Sequence, residues 1–154
     1  FDPQMAGGSL MDLNVYNLCF CIGLFGPPRT VAYTPNRGFN GIDLSGILTC
    51  HYPGSVAALS ASKDSDGLSH GCIQCEKGWI DIPGSVSVMR EFTVHRPDAE
   101  SEHICLQEEH HRLWWEFEEA RRLVEDRQDC HITVPYVTRV AQEIAIALER
   151  MTII

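Results

Sequence analysis

The chain has 154 residues and a formal net charge of −9, from 21 acidic and 12 basic side chains. Hydrophobic residues make up 44% of it, a composition typical of one globular domain. Its only two lysines are Lys63 and Lys77, so nucleic acid and anionic membranes are poor partners for this acidic surface. No apolar run reaches the length of about 18 residues that a membrane-spanning helix needs.

The cysteines and the N-terminus predict the cellular compartment of the protein. Seven cysteines are scattered along the chain, which predicts reduced, mostly buried thiols in the cytoplasm rather than a disulfide framework. The N-terminus lacks the basic and then apolar pattern of a signal peptide. Because the chain opens at Phe1, just before a predicted helix, we expect it to be one domain of a longer protein.

The first predicted helix runs from Ser9 to Leu24. Serine is a favourable N-cap residue, and the run from Ser9 to Asp12 fits a capping box in which aspartate replaces glutamate. Gly26 and the two prolines that follow it cannot continue a helix. The sequence therefore predicts that this helix is capped by its own serine and ends at Gly26.

Strand-like segments fill the middle of the chain. They cover residues 30–34, 42–51, 56–62, 68–75, 79–82 and 85–95. The turn signal Tyr-Pro-Gly-Ser at 52–55 separates the second segment from the third and predicts a hairpin. Because the connections are short, these five or six successive strands predict a mostly antiparallel sheet.

The C-terminal third is predicted to be helical. One helix covers residues 106–124, with an apolar stripe at Leu113, Phe117, Ala120 and Val124, and a second starts near Thr133. The predicted fold class is α+β, a large, mostly antiparallel open β-sheet with helices on one face. That packing would bury the apolar stripes of all the helices.

Asp12 and Tyr16 are the first candidates for chemistry. They lie four residues apart in the first helix and therefore project from the same face. A carboxylate beside a phenol could bind a polar substrate or transfer a proton. The pair also fits an ordinary helix start, and a phenol that acts as an acid or base needs a cation or cofactor that the neighbouring sequence does not supply.

The sequence gives weaker support to a metal site and none to a dinucleotide-binding loop. Cys72 and Cys75 have the spacing of a zinc ribbon, and His70, His103 or Cys105 could complete a ligand set. Two cysteines three apart in a strand, however, point to opposite faces. The chain also contains no G-x-G-x-x-G motif, so it has no phosphate-binding loop of the dinucleotide-binding type.

The order of several segments resembles a known family. Residues 6–16 (AGGSLMDLNVY) resemble the GGG-x-L-x-D-x-G-x-H/Y segment of the glucose–fructose oxidoreductase / inositol dehydrogenase (Gfo/Idh/MocA) family. Residues 25–28, 41–46 and 76–83 are similar to later segments of its second domain. Tyr16 in place of histidine resembles the dihydrodiol dehydrogenase / xylose dehydrogenase branch. Asn14 and Cys75 depart from the pattern, since each stands where the family has glycine.

The resemblance implies a function for the chain. Residues 1–154 would be the C-terminal substrate-binding and oligomerisation domain of an NAD(P)-dependent oxidoreductase that acts on a CH–OH group of a sugar, cyclic polyol or dihydrodiol. An N-terminal Rossmann domain, absent from this chain, would bind NAD or NADP and carry the lysine of an E-K-P motif. Neither Lys63 nor Lys77 stands in such a motif.

The resemblance also assigns residues and partners. Tyr16 and Asp12 would be catalytic, Asp12, Tyr16 and Asn17 would bind a small-molecule substrate, and no residue of this chain would bind the cofactor or a metal. The open sheet face would form a homodimer, and the chain alone would be inactive. The alternative is a non-catalytic self-association or ligand-sensing module of the same fold.

Overall fold

The computed structural model describes residues 7–105 and 113–125, and the chain divides into two compact units. Among the described residues, the first unit comprises residues 7–66, and the second comprises residues 67–105 and 113–125. The helix predicted from Thr133 lies outside the described residues. Neither of the helices within residues 7–105 and 113–125 is long and apolar enough to cross a membrane.

The first unit contains a three-stranded antiparallel sheet. Its strands, in spatial order, are β1 (Thr30–Arg37), β2 (Asp43–Tyr52) and β3 (Ser55–Ser62). Tyr52 pairs with Ser55 at the end of the β2–β3 hairpin, and Gly54 between them has φ +82°, which glycine adopts without strain. The predicted hairpin is confirmed.

The first helix begins with a π-helical turn. This turn spans Leu10–Asn14 and continues into α1 (Val15–Phe25). Gly26 follows with φ +74°, and its N–H donates to the carbonyl oxygen of Ile22 at 2.9 Å. The predicted end of the helix is confirmed, since only glycine reaches this backbone conformation at little cost.

One face of this helix packs on the sheet of the first unit. Buried apolar side chains from the helix and from β1 and β2 form one cluster, which consists of Leu10, Leu18, Ile22, Val31, Tyr33, Leu48 and Cys50. A fully buried Leu or Val side chain contributes roughly 1.5–3 kcal/mol relative to an exposed one. The opposite face of the helix is therefore the one whose side chains could contact a ligand.

The capping prediction for Ser9 is wrong. Ser9 already has helical backbone angles (φ −64°, ψ −36°), whereas a capping residue needs an extended backbone to turn its side chain back. Its hydroxyl is buried and has no hydrogen-bond partner among the described residues. The backbone N–H of Leu10 donates instead to Oδ2 of Asp43, at 2.7 Å.

The second unit contains a four-stranded antiparallel sheet. Its strands are β4 (His70–Cys75), β5 (Gly78–Pro83), β6 (Glu91–Arg96) and β7 (Ala99–Cys105), in that spatial order. A short 3₁₀-helix, Val86–Val88, connects β5 and β6, and α2 covers Leu113–Glu125. Strand β7 was not predicted, because its residues Ala-Glu-Ser-Glu-His-Ile-Cys show no apolar alternation.

The predicted α+β class is confirmed, and all strand pairs are antiparallel. The seven described strands are divided between two sheets. At the β4–β5 turn, Cys75 pairs with Gly78, so cysteine in place of the family's glycine is compatible with a tight turn. Gly78 has φ +143°, and a Cβ there would overlap the carbonyl oxygen of His95.

Helix α2 differs from its prediction. Phe117, Ala120 and Val124 are exposed, so the expected burial of this stripe is wrong for these three positions. Arg121 forms ion pairs with Glu118 and Glu125, one turn away on either side. Such pairs stabilise a helix by a few tenths of a kcal/mol each. The exposed face of α2 is therefore supported by local charge pairs.

Candidate functional site

Asp12 and Tyr16 lie on the exposed side of the first helix. The side chain of Asp12 is 61% exposed, and Tyr16 is 55% exposed. Asp12 belongs to the π-helical turn, and Tyr16 lies in the first turn of α1. Turns of this kind are rare and occur frequently at functional sites, so the irregular backbone is an independent reason to look here.

Lys63 places a cation against the Asp12 carboxylate. It follows the last residue of β3, and its Nζ lies 2.5 Å from Oδ2 of Asp12. The same Nζ donates to the carbonyl oxygen of Gly7 at 2.8 Å. Sequence reasoning missed this contact, because the β2–β3 hairpin brings the two residues together from distant parts of the chain.

Asp43, the first residue of β2, binds the start of the helix through hydrogen bonds. Its Oδ2 accepts two hydrogen bonds, from the N–H of Leu10 at 2.7 Å and from the hydroxyl of Tyr33 at 2.8 Å. Asp43 and Tyr33 are both buried. Burial, with the hydrogen bond to Asp43 and the negative charge of that carboxylate, raises the pKa of the Tyr33 hydroxyl above its usual range. Tyr33 therefore remains a neutral donor to Asp43.

Two glycines make room for this arrangement. An added Cβ on Gly8 would overlap the Asp43 carboxylate, and an added Cβ on Gly46 would overlap the ring of Tyr33. Gly8 belongs to the segment at 6–16, and Asp43 and Gly46 belong to the segment at 41–46. The two family-like segments thus contact each other directly. Glycine is required at positions 8 and 46 because any side chain there would overlap Asp43 or Tyr33.

Asn14 and Asn17 tie the helix to strand β3. Nδ2 of buried Asn14 donates to the carbonyl oxygen of Leu59 at 3.0 Å. Nδ2 of Asn17 donates to Oδ1 of Asn14 at 2.9 Å and to the carbonyl oxygen of Ser60 at 3.1 Å. An amide nitrogen has two hydrogens, so Asn17 retains Oδ1 as the group with which it could contact a substrate.

Asn14 also explains one departure from the family pattern. Glycine at this position could not reach the carbonyl oxygen of Leu59, whereas asparagine anchors the helix to β3. The departure therefore affects the inner face of the helix. Asp12 and Tyr16 on the outer face remain exposed.

The arrangement is suited to binding a polar ligand and to transferring a proton to or from it. It offers an exposed carboxylate with an ammonium against it, and an exposed phenol one turn further along the helix. The carboxylate can accept a hydrogen bond from a hydroxyl, and a phenol can exchange a proton with an alcohol or carbonyl oxygen.

The cysteine pair of the second unit does not converge. Cys72 and Cys75 lie in β4, where residues three apart point to opposite faces. Within residues 7–105 and 113–125, no group of three or more histidine, cysteine, aspartate or glutamate side chains could hold a metal ion. The structure therefore gives the zinc alternative no support in that part of the chain.

The sequence of the chain is similar to that of two oxidoreductases. The chain is 30% identical over 136 residues to scyllo-inositol 2-dehydrogenase (NADP(+)) IolU of Bacillus subtilis (strain 168), a match that covers 83% of this chain and 39% of that protein. It is 34% identical over 82 residues to the uncharacterized oxidoreductase YgjR of Escherichia coli (strain K12), covering 53% of this chain and 25% of YgjR. The chain thus spans less than half the length of either curated relative. It matches no family model.

Solved structures share the fold. The 3-ketoreductase KijD10 from Actinomadura kijaniata, in complex with TDP-benzene and NADP, matches with a TM-score of 0.77 at 13% identity, over 91% of this chain and 46% of KijD10. UDP-N-acetylglucosamine 3-dehydrogenase GnnA from Acidithiobacillus ferrooxidans matches with a TM-score of 0.73 at 16% identity, over 97% of this chain and 48% of GnnA. From the relatives and the shared fold together, we conclude that the chain belongs to the Gfo/Idh/MocA oxidoreductase family and corresponds to its C-terminal domain.

Proposed function

We propose that this chain is the substrate-side domain of an NAD(P)-dependent dehydrogenase that acts on a CH–OH group of a sugar, cyclic polyol or dihydrodiol. The observation that carries the proposal is the exposed pair Asp12 and Tyr16 on one helix face, with Lys63 against the carboxylate. The similarity to IolU, whose name specifies an inositol and NADP(+), supports this substrate class.

In this proposal Tyr16 takes the proton from the substrate hydroxyl during oxidation and returns it during reduction. Its exposed phenol is free to approach an alcohol oxygen, and proton transfer of this kind contributes about 10²- to 10⁴-fold to a rate. Asp12 accepts a hydrogen bond from the same or a neighbouring hydroxyl and so orients the ring. Asn17 contributes an acceptor through Oδ1.

The proposal divides the roles between this chain and a cofactor-binding domain. The sequence has no glycine-rich phosphate fingerprint, and we assign NAD or NADP to a Rossmann domain outside these 154 residues. When bound, the nicotinamide supplies the hydride transfer. NADPH should therefore leave the unfolding temperature of the 154-residue chain unchanged, and clear stabilisation would contradict this division of roles.

We also propose that the four-stranded sheet of the second unit forms a homodimer. One face of this sheet carries an apolar row of Ile73, Ile80, Phe92, Val94 and Ile104, each of them only partly buried. A partly covered apolar face of this kind favours self-association. Sedimentation at micromolar concentration tests the proposal, and a strict monomer would refute it.

The catalytic proposal is tested on the complete gene product. Oxidation of scyllo-inositol, myo-inositol, D-xylose and a trans-dihydrodiol is measured with NAD+ and NADP+, and activity on at least one is expected. Tyr16→Phe should then lower kcat by about 10²-fold or more, with Tyr52→Phe as the matched control. Asp12→Asn should lower kcat/KM, with Asp66→Asn as its control. Full activity of both Tyr16→Phe and Asp12→Asn would end the proposal.

A further inference from the structure

Lys63 projects from a firmly held stretch of backbone. Its N–H donates to the carbonyl oxygen of Leu44 at 2.8 Å. On its C-terminal side, the Asp64 carboxylate accepts hydrogen bonds from Ser62 Oγ at 2.7 Å and Asn36 Nδ2 at 3.2 Å. The hydrogen bond from Ser62, with others from neighbouring groups, lowers the pKa of Asp64, which therefore stays ionised. The start of the Lys63 side chain is thus fixed in place.

The ion pair between Lys63 and Asp12 is asymmetric in its exposure. The Lys63 side chain is only 15% exposed, whereas the Asp12 side chain is 61% exposed. Lys63 therefore reaches the carboxylate from the protein side and leaves most of the carboxylate surface open. An ammonium covered to this degree needs acceptors to replace water, and Oδ2 of Asp12 and the carbonyl oxygen of Gly7 provide them.

This contact constrains two parts of the candidate site at once. One Asp12 oxygen is held by the ammonium, so the carboxylate cannot rotate freely. The Gly7 carbonyl is held by the same ammonium, and Gly7 has no side chain with which to fix its own backbone. A single cation therefore orders both the carboxylate and the glycine pair that precedes the helix.

We propose that Lys63 is a positioning residue for the reaction assigned above. It holds the Asp12 carboxylate and the backbone of Gly7 in the orientation in which Asp12 meets the substrate hydroxyl. Lys63 touches no reacting atom and acts through Asp12. The inference rests on the proposed function, because it requires that Asp12 contact the substrate.

The test is a double-mutant cycle in the complete enzyme. Lys63→Met should lower kcat/KM by roughly 10- to 100-fold, because small displacements of positioning groups cost that much. In an Asp12→Asn background the same substitution should have no further effect. Lys63→Arg, which keeps the positive charge, should restore most of the activity. Lys77→Met, at the only other lysine and in an exposed turn, is the matched control.

The outcomes separate the two proposals. If Asp12→Asn lowers kcat/KM but Lys63→Met behaves like Lys77→Met, the role of Lys63 is refuted and the proposed function stands. If Lys63→Met and Asp12→Asn reduce kcat/KM multiplicatively, Lys63 does not act through Asp12, and the inference is again refuted. If neither Asp12→Asn nor Tyr16→Phe affects turnover, the proposed function itself fails.

A second readout needs no turnover and covers the case in which Lys63→Met does not fold. The native protein is acetylated for short times, and modification at each lysine is quantified by mass spectrometry. Lys63 should react more slowly than Lys77, and Asp12→Asn should raise the rate at Lys63 without altering the rate at Lys77. Equal rates at the two lysines in the wild-type protein would refute the proposed contact.

Discussion

The Asp43 carboxylate occupies the space that a side chain at position 8 would need. The same carboxylate accepts the hydrogen bond from the N–H of Leu10 and so replaces the cap that Ser9 does not provide. A residue at the start of β2 thus determines how the glycine pair enters the first helix. The helix that carries Asp12 and Tyr16 is positioned by the sheet beneath it.

Gly8→Ala should destabilise the protein by about 1–3 kcal/mol, the usual cost of forcing extra atoms into a packed site. The added methyl group must displace the Asp43 carboxylate from Leu10 or move the backbone. Urea unfolding measures the change. Gly67→Ala is the control, because Gly67 has open space around its Cα and should change stability by less than about 0.5 kcal/mol. Equal effects of the two substitutions would contradict the packing described.

The free energy of unfolding should decrease as the pH rises above about 9. Burial raises the pKa of the Cys21 thiol from 9.0 to about 11, and burial with Asp43 raises the pKa of Tyr33 above its ordinary value of 10.0. In both cases the unfolded chain loses its proton first. Each group therefore makes its full contribution to the free energy of unfolding at a pH below its unfolded pKa. That contribution falls by up to about 1.4 kcal/mol per pH unit as the pH rises from the unfolded to the folded pKa.

Two variants assign that alkaline loss. Cys21→Val should make the stability less dependent on pH between 9 and 11, the range the two Cys21 values define. Tyr33→Phe should do so above pH 10 and should lower stability at neutral pH by about 1 kcal/mol through the lost hydrogen bond. Urea unfolding across this pH range provides the data. An unchanged pH dependence in both variants would show that other groups cause the loss.

Asn14→Ala should destabilise the protein by about 1–3 kcal/mol, because it leaves the carbonyl oxygen of Leu59 and an amide hydrogen of Asn17 without their partner. Thermal and urea unfolding measure the effect. Asn36→Ala removes an amide whose two hydrogen bonds, to Ser45 and Asp64, are both exposed, and it should cost less than Asn14→Ala. A neutral Asn14→Ala would mean that this side chain does not anchor the helix.

Native-state alkylation should divide the cysteines by location. Cys72, Cys75 and Cys105 are exposed and should react within the folded protein, whereas Cys21 and Cys50 are buried and should react only on unfolding. At Cys21, the raised pKa further reduces the reactive thiolate. Mass spectrometry after treatment with iodoacetamide, with and without urea, provides the comparison. Rapid native labelling of Cys21 would contradict its placement in the core.

Local signals in the sequence predicted the local features of the fold. The end of the first helix at Gly26 and the β2–β3 hairpin depend on backbone preferences of a few residues, and both are confirmed. Strand β7 carries mostly exposed polar residues, so its apolar pattern was too weak to reveal it. The exposed positions of α2 show the opposite error, since a regular apolar spacing does not establish that a helix face is covered.

Local sequence patterns also predicted only part of the candidate site. The spacing of Asp12 and Tyr16 predicted a shared helix face, and both side chains are exposed. The contacts of Asp12 with Lys63 and of Asp43 with Leu10 depend on strand pairing between distant residues. No local pattern encodes these contacts. A resemblance to family segments indicated that residues 41–46 matter, but only the coordinates show that Asp43 holds the helix start.

The wide turn at Leu10–Asn14 has a consequence for any residue-by-residue comparison of this helix with its relatives. Each residue of an ordinary α-helix advances the chain by about 100° around the axis. Removing Leu13 or Asn14, which lie between Asp12 and Tyr16, would rotate Asp12 by roughly that angle relative to the rest of the helix and withdraw the carboxylate from Lys63. Insertions and deletions between Asp12 and Tyr16 therefore act as rotations of the carboxylate, and alignments that assume a uniform helix would misjudge which side chains correspond.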